Sequence, residues 1–207
     1  MRLSIDGCDV PLDLSAGSTF EAVLAEAGRR VVSKGRVVSR IVADGREIST
    51  RFEREMADRP VGETGTVDIT TTTPDALFRE ALDGAVDLSL AIRRDAVTVL
   101  SSLRAGDLPA AGPRYAACVE SLGTFFQLAG AIFNGIGAGV FPLAVRPGSA
   151  GELPSPPDAT AGLLQRLLEA QKSEDWNGVA EILERGIVPN IEGWSAFFEA
   201  MKGIGEG

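Results

Sequence analysis

The sequence predicts an α+β chain in two parts, strand-rich to residue 73 and helical beyond it. Three observations carry this. Up to residue 73, short apolar–polar alternations flank two Asp-Gly pairs, the mark of half-buried strands joined by tight turns. Thr66–Thr73 is β-branched at every position but Asp68. After Pro74 the apolar residues recur at threes and fours, the period of a helix face.

The elements follow in order. Arg2–Ile5 and Val10–Leu14 read as strands joined through Asp6-Gly7, and Pro11 marks the second as an edge, because proline cannot donate to a ladder. Ser18 or Thr19 is placed to cap a helix in which Phe20, Val23, Leu24 and Ala27 form one stripe, with Gly28 expected to close it. Residues 37–48 read as two strands around Asp44-Gly45. The last strand is Thr66–Thr73, with Val67 and Ile69 on one face.

This order of two strands, one helix and three strands resembles the β-grasp or ubiquitin-like fold over residues 1–73. The resemblance implies a mixed sheet crossed by the helix. Sulfur carriers and protein modifiers of that superfamily end in a free Gly-Gly tail; here the last strand runs on into Pro74-Asp75 and the sequence ends GIGEG. The carrier chemistry is therefore not expected.

Residues 74–207 are expected to form an antiparallel bundle of about four helices. Phe78, Leu82, Ala85, Ile92, Ala96, Val99 and Leu103 mark a helix from Asp75 to near Arg104, and residues 105–113 read as a loop. The next helix carries Tyr115, Val119, Leu122, Phe126, Ala129 and Phe133 on one row, with Cys118, Phe125 and Ile132 beside it. Residues 147–158 form a Pro/Gly/Ser linker. A short helix over 161–172 follows, then Ser173 at an N-cap position. A last helix carries Trp176, Ala180, Leu183, Ile187, Ile191, Trp194, Phe198 and Met201, with a kink or break expected at Pro189.

Residues 121–145 contain no charged side chain. That length suffices to cross a bilayer, but Gln127, Asn134, Pro142 and the glycines at 123, 130, 135, 137 and 139 oppose a spanning helix. The reading is a core helix ending near Asn134-Gly135, followed by an apolar loop. Gly123, Ala129 and Gly130 are expected to let neighbouring backbones approach closely. The alternative for them is a groove left for a partner helix or an acyl chain.

Composition narrows function. The net charge of −9 argues against nucleic acid and anionic lipid as partners. The absence of histidine removes the commonest general base and transition-metal ligand. Cys8 and Cys118 have no metal-ligand spacing and are read as reduced thiols, consistent with the cytoplasm; no signal peptide opens the sequence. Glu80, Asp83 and Asp87 share a helix face and are read as solvated rather than as a metal site. The glycine run at 134–139 follows a helix and lacks the strand and lysine of a phosphate loop. No cofactor or metal is expected.

The expected function is therefore a non-enzymatic, protein-binding adaptor or chaperone-like protein. Small acidic helical bundles of this composition resemble the export chaperones and regulators of bacterial secretion and flagellar systems, which bind a partner helix in a groove. Two sites are expected to meet a partner. One is the basic cluster of Arg29, Arg30, Lys34 and Arg36, with Arg40 beside it, facing an acidic partner or the chain's own acidic bundle. Its plain alternative is a solvated edge that guards a strand. The other is Phe197, expected to be exposed and available to a partner or, in self-association, to a second subunit, because it lies off the Trp194–Phe198 stripe. The rival functions are a membrane-surface or lipid-associated protein using Leu122–Val145, and a small-molecule-binding or catalytic domain with a pocket between helices.

Overall fold

The structure, a computed structural model, describes residues 1–11, 18–48, 57–60, 63–140 and 157–204. The parts of the expected strand 10–14 beyond Pro11, of the apolar loop beyond Val140 and of the linker up to residue 156 lie outside them. The chain is α+β and divides into two compact units, Met1–Leu77 and Phe78–Gly207.

Unit 1 is a five-stranded mixed sheet with one helix. The strands are β1 (Arg2–Ile5), β2 (Cys8–Asp9), β3 (Val37–Ala43), β4 (Arg46–Glu47) and β5 (Thr66–Thr72), in the order β2-β1-β5-β3-β4. β1 and β5 run parallel and the other pairings are antiparallel. Both Asp-Gly pairs adopt left-handed conformations, with φ of 51° and 78° at Asp6-Gly7 and 49° and 77° at Asp44-Gly45. Two consecutive positive φ angles match the twist of a tight hairpin, and few pairs other than Asn-Gly and Asp-Gly reach them without strain. Asp44 adds a brace, its Oδ1 accepting from the N–H groups of Gly65 and Thr66 at 3.0 and 2.8 Å.

Alternation along β5 sends Val67, Ile69 and Thr71 inward and leaves Thr66, Asp68 and Thr70 exposed. Helix α1 (Phe20–Val32) covers the inner face with Phe20, Val23 and Ala27 against Leu3, Ala43, Val67 and Ile69. Thr19 caps it, its Oγ1 accepting from Ala22 N–H at 3.3 Å. Gly28 does not close this helix as expected. The backbone stays helical through it because Val31 is buried in the next turn, and the left-handed exit falls at Gly35, φ 66°.

Unit 2 is helical. Its helices are α2 (Pro74–Arg104, whose first turn belongs to unit 1), α3 (Leu108–Gly137), α4 (Pro157–Lys172), α5 (Trp176–Ile182) and α6 (Val188–Ile204). Residues 105–113 are not all loop. Asp107 accepts from Ala110 N–H at 3.1 Å and caps α3, and Pro109 falls in the first turn, where its missing N–H costs nothing. Nor does α3 stop at Asn134-Gly135: it runs to Gly137 and ends at the left-handed Gly139, φ 69°. Ser173 is not an N-cap. Its Oγ donates back to the carbonyls of Glu169 and Ala170, and Asp175 caps α5 instead through Gly178 N–H.

The irregularity expected at Pro189 lies just before it. Leu183–Ile187 is a π-helical turn, with Val188 N–H donating to Leu183 C=O. A regular helix would set the Pro189 ring against the carbonyl of Arg185, and the widened turn comes there. It is close-packed as well, since a Cβ on Gly186 would fall 2.6 Å from Leu163 Cδ2. Three ion pairs give α2 and the last helices an antiparallel register: Asp83–Lys202 (2.7 Å), Arg93–Glu192 (2.8 Å) and Arg104–Glu184 (2.6 Å). All three are largely exposed, so each contributes at most about 1 kcal/mol; the apolar interior supplies the stability.

Candidate functional site

The basic cluster of unit 1 surrounds a cleft of about 380 Å³, lined on one side by the β1–β2 hairpin and on the other by the end of α1 and its exit loop. Ile5, Val10 and Val31 give it an apolar floor. Arg30, Lys34 and Arg36 supply three cations, and Asp6 is the one acid in the lining.

A network fixes one wall. Asp6 Oδ1 accepts from Thr71 N–H at 2.8 Å, and Thr71 Oγ1 donates to Asp6 Oδ2 at 2.6 Å. Arg36 Nε donates to the same Thr71 Oγ1 at 2.6 Å, and its Nη2 donates to Thr71 C=O at 2.8 Å. The hydroxyl thus donates a hydrogen bond to the carboxylate and accepts one from the guanidinium, which fixes both partners. These bonds from Thr71 hold the Asp6 carboxyl below its ordinary range, with the Arg36 and Lys34 charges adding to the effect. Asp6 is therefore already engaged and competes weakly for a ligand. The second wall is held by Arg30, whose Nε donates to Glu26 at 2.8 Å and whose Nη1 donates to Pro11 C=O at 3.2 Å. Lys34 has no ion pair among the described residues and stands beside the left-handed Gly35.

The structure therefore brings Arg30, Lys34 and Arg36 to one cleft and leaves Arg29 outside its lining, paired with Glu26 at 2.6 Å. Arg40 lies apart, paired with Glu47 at 2.8 Å. Cys8 also lines the cleft with an exposed thiol, whereas Cys118 of α3 is buried and its thiol is pushed up to about 11 by that burial. Asp6, Cys8 and Thr71 were not expected at this site. The Asp-Gly turn placed Asp6 in a hairpin, but nothing in a run of threonines distinguishes the one that meets it.

Phe197 is a correction. It is 8% exposed, stacked on Phe133 at 6.0 Å and in contact with Trp194 and Phe198. The inward face of α6 is broader than one stripe: Ile191, Trp194, Phe197, Phe198 and Met201 are all buried. Trp194 and Phe197 are three apart and so share that face. Phe197 belongs to the core and is not the exposed aromatic that was expected.

Gly123 and Gly130 are also corrected. Both are exposed, and a Cβ on either would meet nothing within 4 Å, so no neighbouring backbone packs against them among the described residues; Ala129 alone of the three is buried. Their face of α3 continues through Gln127, Ala131 and Asn134, all exposed. Helix α3 is long and apolar enough to cross a membrane. Of the acidic trio, Asp83 pairs with Lys202, and no group of residues suited to hold a metal ion occurs among the described residues.

Compared with protein-family models, with curated proteins and with solved structures, the chain matches none.

Proposed function

We propose that this chain is a non-enzymatic protein-binding adaptor, with residues 1–73 a β-grasp module and the helical unit an antiparallel bundle, and that it meets an acidic partner at the cleft of unit 1. The strand order β2-β1-β5-β3-β4, with β1 parallel to β5 and one helix across the sheet, supports the β-grasp reading. The antiparallel register of the three α2 ion pairs supports the bundle. The observation that carries the function is the cleft itself: three cations from two successive segments share it with the apolar Ile5, Val10 and Val31, and the one acid among them is already bonded to Thr71. Basic side chains that merely solvate an edge do not need apolar groups beside them. Two unpaired cysteines fit action in the cytoplasm.

Lys34→Glu is the test, because Lys34 is exposed and its replacement removes no ion pair among the described residues. With the circular dichroism and unfolding midpoint unchanged, the variant should bind a copurifying partner about tenfold more weakly at low salt, equivalent to about 1.4 kcal/mol. Equal binding would remove the cleft as the contact.

One observation favours a second reading, association with lipid through α3. That helix meets the length and composition of a span, and its Gly123–Asn134 face is exposed. Flotation with neutral phosphatidylcholine vesicles separates the two readings: the adaptor stays with the protein fraction and the lipid-associated form rises.

A further inference from the structure

We infer that the cleft takes an extended acidic peptide in which carboxylates alternate with branched apolar side chains, and that Cys8 lies beneath the bound segment. The inference rests on the adaptor reading and adds the chemistry of the ligand and the residue it covers.

Three features of the cleft select this chemistry. The cations line one side of it, Arg30 at the end of α1 and Lys34 and Arg36 on the exit loop, with Arg30 held by Glu26 and Arg36 by Thr71 while the Lys34 side chain is exposed. The same lining includes Ile5, Val10 and Val31, beside Cys8, Ser33 and Thr71. A bare phosphate makes no use of those apolar groups, and an uncharged peptide makes no use of the cations. A ligand that uses both must carry carboxylates and hydrocarbon together. In an extended chain successive side chains point to opposite faces, so alternation turns every apolar group down to the floor and every carboxylate up to the basic rim. The volume, about 380 Å³, lies at the small end for ligand sites and suits a few side chains rather than a folded domain. Asp6 does not repel such a segment strongly, since its two oxygens already accept from Thr71 and Arg36 lies 3.7 Å away.

Cys8 makes the inference measurable. It lines the cleft with an exposed thiol while Cys118 is buried, so a small alkylating reagent reads Cys8 first. The probe is a capped peptide of alternating Glu and Val, added to the full chain before iodoacetamide, a neutral reagent, with alkylation of Cys8 followed by mass.

The peptide should slow alkylation saturably, by about tenfold when present at about nine times its dissociation constant. The same peptide with Gln for Glu should give no protection. In Lys34→Glu, with its fold checked by circular dichroism, half-protection should need about tenfold more peptide. Raising the salt from about 0.05 M to about 0.5 M shortens the screening length roughly threefold and should weaken protection further. An unchanged rate with the Glu-Val peptide overturns the inference. So does equal protection by the Gln peptide, which would mean an apolar site, or by inorganic phosphate, which would mean a simple anion site. The two levels separate cleanly. If Lys34→Glu weakens a partner but the peptide leaves Cys8 exposed, the adaptor reading stands and this inference falls. If the peptide protects Cys8 but no partner responds to Lys34→Glu, the ligand chemistry stands and the adaptor reading falls.

Discussion

Helices α1 and α3 each bury one face and leave the other exposed, yet their outer faces are built on opposite lines. On α1 the inner residues are Phe20, Val23, Ala27 and Val31, and the outer side carries Glu26 bonded to both Arg29 and Arg30. On α3 the inner residues are Tyr115, Cys118, Leu122, Phe125, Ala129 and Ile132, and the outer side is Gly123, Thr124, Gln127, Gly130, Ala131 and Asn134. Charge on an outer face keeps a helix in water and gives it something to bind with. Glycine there does neither and lowers helix propensity as well. An uncharged sequence therefore does not report burial: within residues 121–137 the apolar Leu122, Phe125, Ala129 and Ile132 mark the covered side, and glycine and polar residues mark most of the open one.

The largest effect should come from breaking the covered side. Phe125 is fully buried and packs edge-on against Phe126 and Phe198 at 5.3 and 6.0 Å, while Phe126 is only half-buried. Phe125→Ala should lower stability by about 3–5 kcal/mol in denaturant unfolding. Phe126→Ala should cost less, about 1–2 kcal/mol, because less of its area leaves water on folding. A reversed order would put the core row of α3 where the spacing of Phe126 and Phe133 had placed it, and would undo the division of faces.

The open side should respond in the opposite sense. Gly123→Ala and Gly130→Ala each add a methyl group that meets nothing within 4 Å beyond its own turn of helix among the described residues, at positions whose φ is not left-handed. Each should raise stability by about 1 kcal/mol through reduced freedom of the unfolded chain and better helix propensity. The two sites lie two turns apart on α3, about 10 Å, so the gains should add. Thermal unfolding of the single and double variants measures this. A loss of stability, or a fall in oligomeric mass on sedimentation, would mean that another chain or lipid sits against this face.

These cases also locate what sequence makes legible. The Asp-Gly turns, the alternation of β5 and the α2 stripe from Phe78 through Val99 depend on neighbours a few residues away, and their periods were readable. The cleft depends on pairs far apart in the chain: Asp6 meets Thr71 across 65 residues and Arg36 meets it across 35. Any of several threonines would have fitted the same pattern. The basic cluster could be seen, but not which of its members were already engaged. The error over Phe197 had another source, an inward face of α6 taken as one narrow stripe when it spans two adjacent positions. Gly28 and Gly130 were misjudged alike, because glycine marks an exit or a close approach only where φ or a neighbouring backbone demands it.

The smallest effect tests the charged outer face of α1 and appears only with pH. Bonds from Arg30 first and Arg29 second hold the Glu26 carboxyl below its ordinary range. A carboxyl whose folded-state pKa is lowered contributes stability above its unfolded pKa and loses that contribution as pH falls through the folded value. The contribution should be complete above the ordinary glutamate range and fade as the pH falls below it. Glu26→Gln removes the charge at every pH, so its unfolding midpoint should lie slightly below that of the parent near neutrality and converge with it in acid. Because Glu26 is bonded to Arg30, the variant also frees one wall of the cleft. If the two midpoints stay parallel from neutral pH into acid, the Glu26 pairs are ornamental, and the contrast between a charged α1 and a glycine-faced α3 reduces to solubility alone.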